Sequence, residues 1–283
     1  MEFAAGALFN VACFLAITTL LVTVHELGHY LMARVTGLRV EVFSIGLGPE
    51  FVGRTDRIGT RWKIGIVPLG GYIRMFGEHS GPRHGEAPAV EMDGTILFEQ
   101  ASLGRRAAVA AAGPAANFAL SFVVLAVLLL VVGRPSSSGA SFPETAVWLV
   151  WRAIELTWGL TAETLQALWQ FLTGVHAGQD FIGPLRLAQV SGEVAHQGLL
   201  MSLGLVAIIS ANLAVMNLLP IPSLDGGYLL FCLAEALRGR PMAAQAQTFA
   251  TRLGFGFIAG LMVFVTCKDI AEIGIDTLHR VIG

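Results

Sequence analysis

The sequence predicts a mainly α, polytopic membrane protein with about four transmembrane helices, a membrane-associated β-hairpin region and amphipathic interfacial helices. Three observations predict it. Of 283 residues, 54% are hydrophobic and 13% charged, with a mean hydropathy of +0.68; a soluble domain of this size carries roughly 25% charged residues. The apolar residues come in blocks, four of them long enough for the about 20 residues that cross a bilayer. Between the first two blocks lies a β-rich stretch punctuated by glycine.

The first span is expected over residues 5–33. Residues 1–24 carry one charge, Glu2, and no basic n-region or small-residue cleavage site, so this reads as a retained transmembrane helix rather than a signal peptide. Residues 40–76, VEVFSIGLGPEFVGRTDRIGTRWKIGIVPLGGYIRMF, follow. Two β-runs around Glu50–Val52 and Trp62–Ile66 flank a polar turn, which predicts a hairpin. Its apolar character suggests that it dips into the membrane, where its backbone must be paired or covered; an ordinary cytoplasmic hairpin is the alternative. A second span is expected over 107–132, and the Ser/Gly-rich RPSSSGAS at 134–141 reads as a flexible linker. Residues 143–173 hold four of the five tryptophans at helical spacing. That pattern suits helices lying on the outer leaflet, or one packed against the transmembrane bundle.

The third span, 199–219, runs into Pro220-Ile221-Pro222, and helical sequence resumes from Leu224 to Leu237. Two prolines one residue apart break a helix. A break at membrane depth is tolerated where protein or a water-filled cavity satisfies the freed backbone, which predicts a buried polar site there. A fourth span is expected over 253–270. Ten of the eighteen Lys and Arg residues lie between Arg34 and Arg106, and only three in 134–198. The positive-inside rule then puts the first and third loops in the cytoplasm, and both termini outside. A net charge of -2 argues against nucleic acid as a partner. Cys13, Cys232 and Cys267 have no CxxC spacing and predict neither disulfides nor a thiolate metal site.

The sharpest motif is Val24-His25-Glu26-Leu27-Gly28-His29. Positions i and i+4 share a helix face, so both imidazoles can bind one zinc ion while Glu26 is offset to act as general base. Two histidines and a glutamate in an apolar helix cost several kcal/mol if unpaired, which a metal offsets. A histidine pair bonded to neighbouring helices, with Glu26 on an arginine, is the alternative. Catalytic zinc usually takes three protein ligands. Asp225, just past the helix break, is the only acid between Glu193 and Glu235 and is the candidate third; an N-cap is its other reading. His79, His84, His176, His196 and His279 lie in polar or loop sequence and read as surface histidines. Asn117 and Asn212, amides in or beside apolar helices, could help an oxyanion or hydrogen-bond between helices. Asn217, Gly70 and Gly71 are further candidates for substrate binding.

HELGH in a first membrane helix with NLLPIPSLDGG late in the chain resembles the site-2 protease family of intramembrane zinc metalloproteases. FSIGLGP (43–49), KIGIVPLGGYIRM (63–75) and GPAANF (113–118) resemble its bacterial regulator of sigma-E protease branch. The resemblance covers most of 1–133 and 180–270. It implies zinc held by His25, His29 and Asp225, with Glu26 as base. The implied substrate is a single-pass membrane protein, such as an anti-sigma factor in a stress response, or remnant signal peptides. The implied home is the bacterial inner membrane. The domain organisation is then an N-terminal catalytic half (1–133), a linker (134–141), a periplasmic amphipathic helical segment (142–198) and a C-terminal catalytic half (199–283). Members of that branch carry PDZ domains between the second and third membrane helices, and 134–198 holds no segment of that size. The joint at 134–141 sits where one would be, which suggests a deletion; a naturally short member is the alternative. An uninterrupted reading frame through 134–141 in the native gene would exclude the deletion. Other function classes are a zinc-dependent membrane hydrolase on a non-peptide substrate and a non-catalytic metal-binding membrane protein. No polar path across several helices and no internal repeat point to a transporter. Oligomeric state is silent in the sequence.

Overall fold

The structure, a computed structural model, describes residues 2–76, 98–132, 142–174 and 182–282. The elements run α1 (Glu2–Val35), β1 (Val40–Thr55), β2 (Arg61–Met75), a short 3-10 turn (Phe98–Gln100), α2 (Leu103–Val132), α3 (Phe142–Thr173), α4 (Pro184–Gln197), α5 (Leu199–Asn217), α6 (Asp225–Arg238) and α7 (Ala244–Ile282). Among the described residues, four helices are long and apolar enough to cross a membrane, over Ala5–Val35, Leu103–Val132, Leu199–Asn217 and Gln245–Gly274. These are the four expected spans, and the mainly α membrane fold with a hairpin is the one predicted. The last helix is longer than the 253–270 read from hydropathy, because polar flanks at both ends continue the helix beyond the apolar window. The linker at 134–141, and His79, His84 and His176, fall outside the described residues.

The chain divides into two compact units. One comprises Met1–Ile17, Phe118–Met216 and Ala250–Gly283; the other, Thr18–Asn117 and Asn217–Phe249. In the second unit, β1 and β2 form one long antiparallel hairpin, from Thr55 opposite Arg61 back to Val40 opposite Met75. Its turn is held by Asp56, whose Oδ1 accepts the amides of Ile58 and Thr60 and whose Oδ2 accepts the indole N–H of Trp62. The Trp62 bond, aided by those amides, holds the Asp56 carboxyl below its ordinary pKa. The hairpin does not run straight. Its register shifts between Ile45 and Val52, and Val42–Ile45 also align in ascending step with Arg61–Ile64. The four residues Val42–Ile45 therefore have a strand on each side, and Gly71–Arg74 forms an outer edge. Gly46, Gly48 and Gly70 at the bends all have positive φ, which glycine adopts without steric cost.

The hairpin's root is anchored on the end of α1. Tyr30, Ala33, Leu38, Val40, Phe43, Met75, Phe98, Ala101 and Val109 make one buried cluster. Within it Tyr30 meets Phe43 edge-on, and Trp62 closes on both rings at 5.0 and 4.5 Å. Towards the bend the hairpin is different: Phe51, Val52, Ile64, Ile66 and Leu69 are exposed, an apolar surface of the kind a lipid environment tolerates.

In the first unit, Phe142–Thr173 form the single helix α3, and α4 is the next helix in the chain. Asp269 of α7 is fully buried. Its carboxylate accepts the amides of Gly183, Leu185 and Arg186 at the start of α4, while Pro184 between them has no N–H to offer. A helix start leaves its first amides without intrahelical partners, and α4 has no capping side chain of its own. The burial cost of Asp269 is thus met by three charge-assisted hydrogen bonds. Arg186 also pairs with Glu272, one turn beyond.

Candidate metal centre

All the chemistry-bearing residues of the HExxH and LDGG motifs lie in the second unit. Within α1, His25 and His29 stand one turn apart and are both buried, at 8% and 7% exposure. Gly28, between them in sequence, is the contact with α2: a Cβ there would lie 2.3 Å from the Ala112 carbonyl and 2.7 Å from the Ala116 Cβ. Small residues on both helices let the backbones approach closely. One face of α2, at Val109, Gly113 and Asn117, is thereby brought against the imidazoles. The Val109 carbonyl lies 2.7 Å from His29 Nδ1. A carbonyl only accepts, so Nδ1 carries the proton, and in the neutral ring Nε2 keeps the lone pair a metal needs. Gly113 leaves room for the rings, since a Cβ there would lie 2.3 Å from His29 Nε2 and 2.8 Å from His25 Cε1. Asn117 Nδ2 lies 3.2 Å from His25 Nδ1.

The third group arrives through the helix break. After α5 ends at Asn217, the chain turns at Leu218–Leu224, with the Ile221 amide bonded to the Leu219 carbonyl and the Leu224 amide to the Ile221 carbonyl. This segment folds back onto the first turn of α6. A Cβ at Gly226 would lie 2.2 Å from the Leu218 carbonyl, and one at Gly227 would lie 2.1 Å from that of Ile221. The two glycines after Asp225 are what permit so close a return. The N-cap of α6 is Leu224; Asp225 is the first helical residue, and its carboxylate turns to the histidines instead of capping. A further tie fixes α6 against α2, a half-buried ion pair of Arg106 with Glu235 at 2.5 Å.

Three side-chain atoms converge as a result. His25 Nε2 and His29 Nε2 are 3.1 Å apart. Asp225 Oδ2 is 3.1 Å from the first and Oδ1 3.4 Å from the second. Oδ2 is buried and, at that separation, makes no hydrogen bond of good geometry. Two imidazole nitrogens and a carboxylate converging this closely can share one cation, which is the chemistry of a metal centre. Among the described residues these three are the group of His, Cys, Asp or Glu that could hold an ion. Glu26, one residue on, points to the hairpin: its Oε2 accepts the Ile73 amide at 3.1 Å. A Cβ at Gly71 would lie 3.6 Å from Glu26 Cγ and 2.6 Å from the Ser44 carbonyl, so the bare backbone there lets the edge of β2 come up to the carboxylate.

The other expected candidates are dispersed. Gly70 and Gly71 open the returning half of β2, beside α1. Asn217 is the last residue of α5, at the break. Asn117 is fully buried behind His25. Asn212 lies in the first unit, where its Oδ1 is 2.5 Å from Thr164 Oγ1 of α3. Both amides therefore have partners other than the three converging atoms. His196 is exposed and stacks on Phe9, and the three cysteines are free thiols. Sequence reasoning passed over Val109, Gly113 and Ile73. Gly113 and Asn117, four apart in GPAANF, carried a signal as a helix face. Val109 and Ile73 act through backbone atoms and carried none.

The family model of peptidase family M50 matches residues 13–261. A Rhizobium meliloti protein named "putative zinc metalloprotease" is 32% identical over 93% of this chain and 96% of its own length. Proteins of the same description from Agrobacterium fabrum and Clostridium acetobutylicum are 30% and 26% identical, over 92% and 93% of this chain and 95% and 97% of theirs. The first alignment runs over 361 positions, although it takes in 93% of a 283-residue chain. The relative therefore carries, within the match, residues in the number of a small domain that have no counterpart here.

Proposed function

The chain belongs to peptidase family M50, and from that premise we propose that it is a zinc-dependent endopeptidase of the membrane, cutting a peptide bond within or near the transmembrane segment of a single-pass membrane protein. The observation that carries the reading is the spacing of the converging atoms. Tetrahedral ligands at about 2.0–2.1 Å from zinc lie about 3.3 Å from one another. The separations here are 3.1, 3.1 and 3.4 Å. Two imidazoles and a carboxylate form a known catalytic donor set for zinc, with one position left open.

When bound, zinc supplies Lewis acidity that activates water at neutral pH and polarises the scissile carbonyl. His25, His29 and Asp225 would hold it. Glu26 takes the proton of the attacking water and returns it to the leaving amine. The Ile73 amide fixes the carboxylate's position by its bond to Oε2. A transmembrane helix shields its own amides, so a substrate must be unwound before attack. The outer edge of Gly71–Arg74, already facing Glu26, is where an unwound segment adds as a strand. Proline at Ile73 disturbs that edge and also removes the amide that holds Glu26. It should reduce cleavage while leaving zinc content intact; normal cleavage would exclude strand pairing as essential.

The charge asymmetry of the loops supports an orientation with both termini on the periplasmic side of a bacterial inner membrane. Motif resemblance supports a trimmed anti-sigma factor or a remnant signal peptide as substrate. The test is removal of the metal. The detergent-solubilised chain, stripped by a chelator, should stop releasing the cleaved peptide from a single-span substrate, as read by mass spectrometry. Added zinc should restore release. Undiminished cleavage by fully zinc-free protein would sink the proposal.

A further inference from the structure

We infer that Asn117 is a positioning residue for His25, accepting the Nδ1 proton through its amide oxygen and so committing Nε2 to the metal. The inference rests on the zinc reading above. Each imidazole that binds through Nε2 must carry its proton on Nδ1, and that proton needs an acceptor to fix ring and tautomer. For His29 the acceptor is the Val109 carbonyl at 2.7 Å. Two turns further along the same face of α2, Asn117 stands in the equivalent position for His25, with its Nδ2 placed 3.2 Å from Nδ1. Asn117 is fully buried, and its reach is set by the helix.

The two ends of the amide dictate opposite chemistry. With Nδ2 towards His25, Nδ1 must be the acceptor. The imidazole proton then sits on Nε2, between His29 Nε2 and Asp225 Oδ2, where the ion needs a lone pair. A half-turn of the amide exchanges a donor for an acceptor of nearly the same shape. Oδ1 then faces Nδ1, the proton moves to Nδ1, and Nε2 is free to bind. The metal-holding form of the site is the form with the oxygen inward. This gives the Gly113 and Asn117 pair one purpose: the glycine makes space for the rings and the amide orients the nearer one. It also separates Asn117 from the oxyanion role, because the contact is on the side of His25 away from the converging atoms.

The test is zinc affinity of the full chain in detergent, by competition with a chromophoric chelator, supported by the visible spectrum of the cobalt-substituted protein. N117L keeps the volume and removes the acceptor. It should weaken zinc binding about 10–100-fold, as loss of an outer-shell partner does, and alter the cobalt bands. N117D keeps an acceptor and removes the donor. It should bind zinc at least as tightly as the unaltered chain, and this variant carries the test if N117L fails to fold. An N117L chain with unaltered affinity, or an N117D chain that loses as much as N117L, overturns the inference and leaves the protease reading standing. An unaltered chain that binds no zinc overturns both.

Discussion

Glu26→Gln is expected to lower turnover of a single-span membrane substrate by about 10²–10⁴-fold, the usual contribution of a general base, with zinc still bound at one ion per chain. The two results belong together because of where Glu26 sits. Its neighbours in sequence, His25 and its partner His29, face Asp225, whereas Glu26 Oε2 faces the Ile73 amide. Glutamine has the same size and keeps an oxygen for that amide, so the hairpin edge and the metal ligands stay in place. What it lacks is a lone pair basic enough to take a proton from water. Steady-state cleavage with zinc quantified by atomic absorption reads both. Unaffected proteolysis would refute Glu26 as the base, and proteolysis lost together with zinc would mean that Glu26 holds the site rather than serving it.

Gly113→Ala should be nearly as damaging by a different route. A methyl there meets His29 Nε2 at 2.3 Å and His25 Cε1 at 2.8 Å, closer than carbon approaches either atom. Neither ring is a loose end that can step aside. His29 is held at Nδ1 by Val109, and His25 has Asn117 behind it. The displacement therefore falls on the ligand atoms, and zinc affinity should drop at least 10–100-fold. Alanine is also the better helix former, by about 1 kcal/mol, so α2 itself gains. The crowding costs about 1–3 kcal/mol, which that gain only partly offsets, so the zinc-free variant should melt no higher than the zinc-free parent while binding zinc far more weakly. Equal zinc affinity would show that the rings have freedom not visible in their contacts.

How much of this could be read from residues alone follows from which groups carry identity. His25, Glu26 and His29 were legible because a four-residue spacing on a helix fixes a shared face. Asp225 was legible because a carboxylate after two helix-breaking prolines has few other uses at membrane depth. The double glycine after it announced a close backbone approach, though not to which carbonyls. The hairpin was legible in its two β-runs and polar turn, but not its doubling over, since Val42–Ile45 gains its second neighbour from a bend at glycines. Asn117 stood out as an amide in an apolar helix, yet its partner lies 92 residues away and could not be named. The Val109 carbonyl and the Ile73 amide belong to every residue type, and only the fold selects them.

The cap on α4 sets an order of events during synthesis. Asp269 reaches back across 83 to 86 residues to bind the amides of Arg186, Leu185 and Gly183. When α4 leaves the ribosome, Asp269 has not yet been made. Its first turn must stay in contact with water or headgroups until the last span has been made. The beginning of α4 can therefore settle only as the final helix is threaded into the bilayer, and a chain stopped short of residue 269 would carry α4 with its start still open.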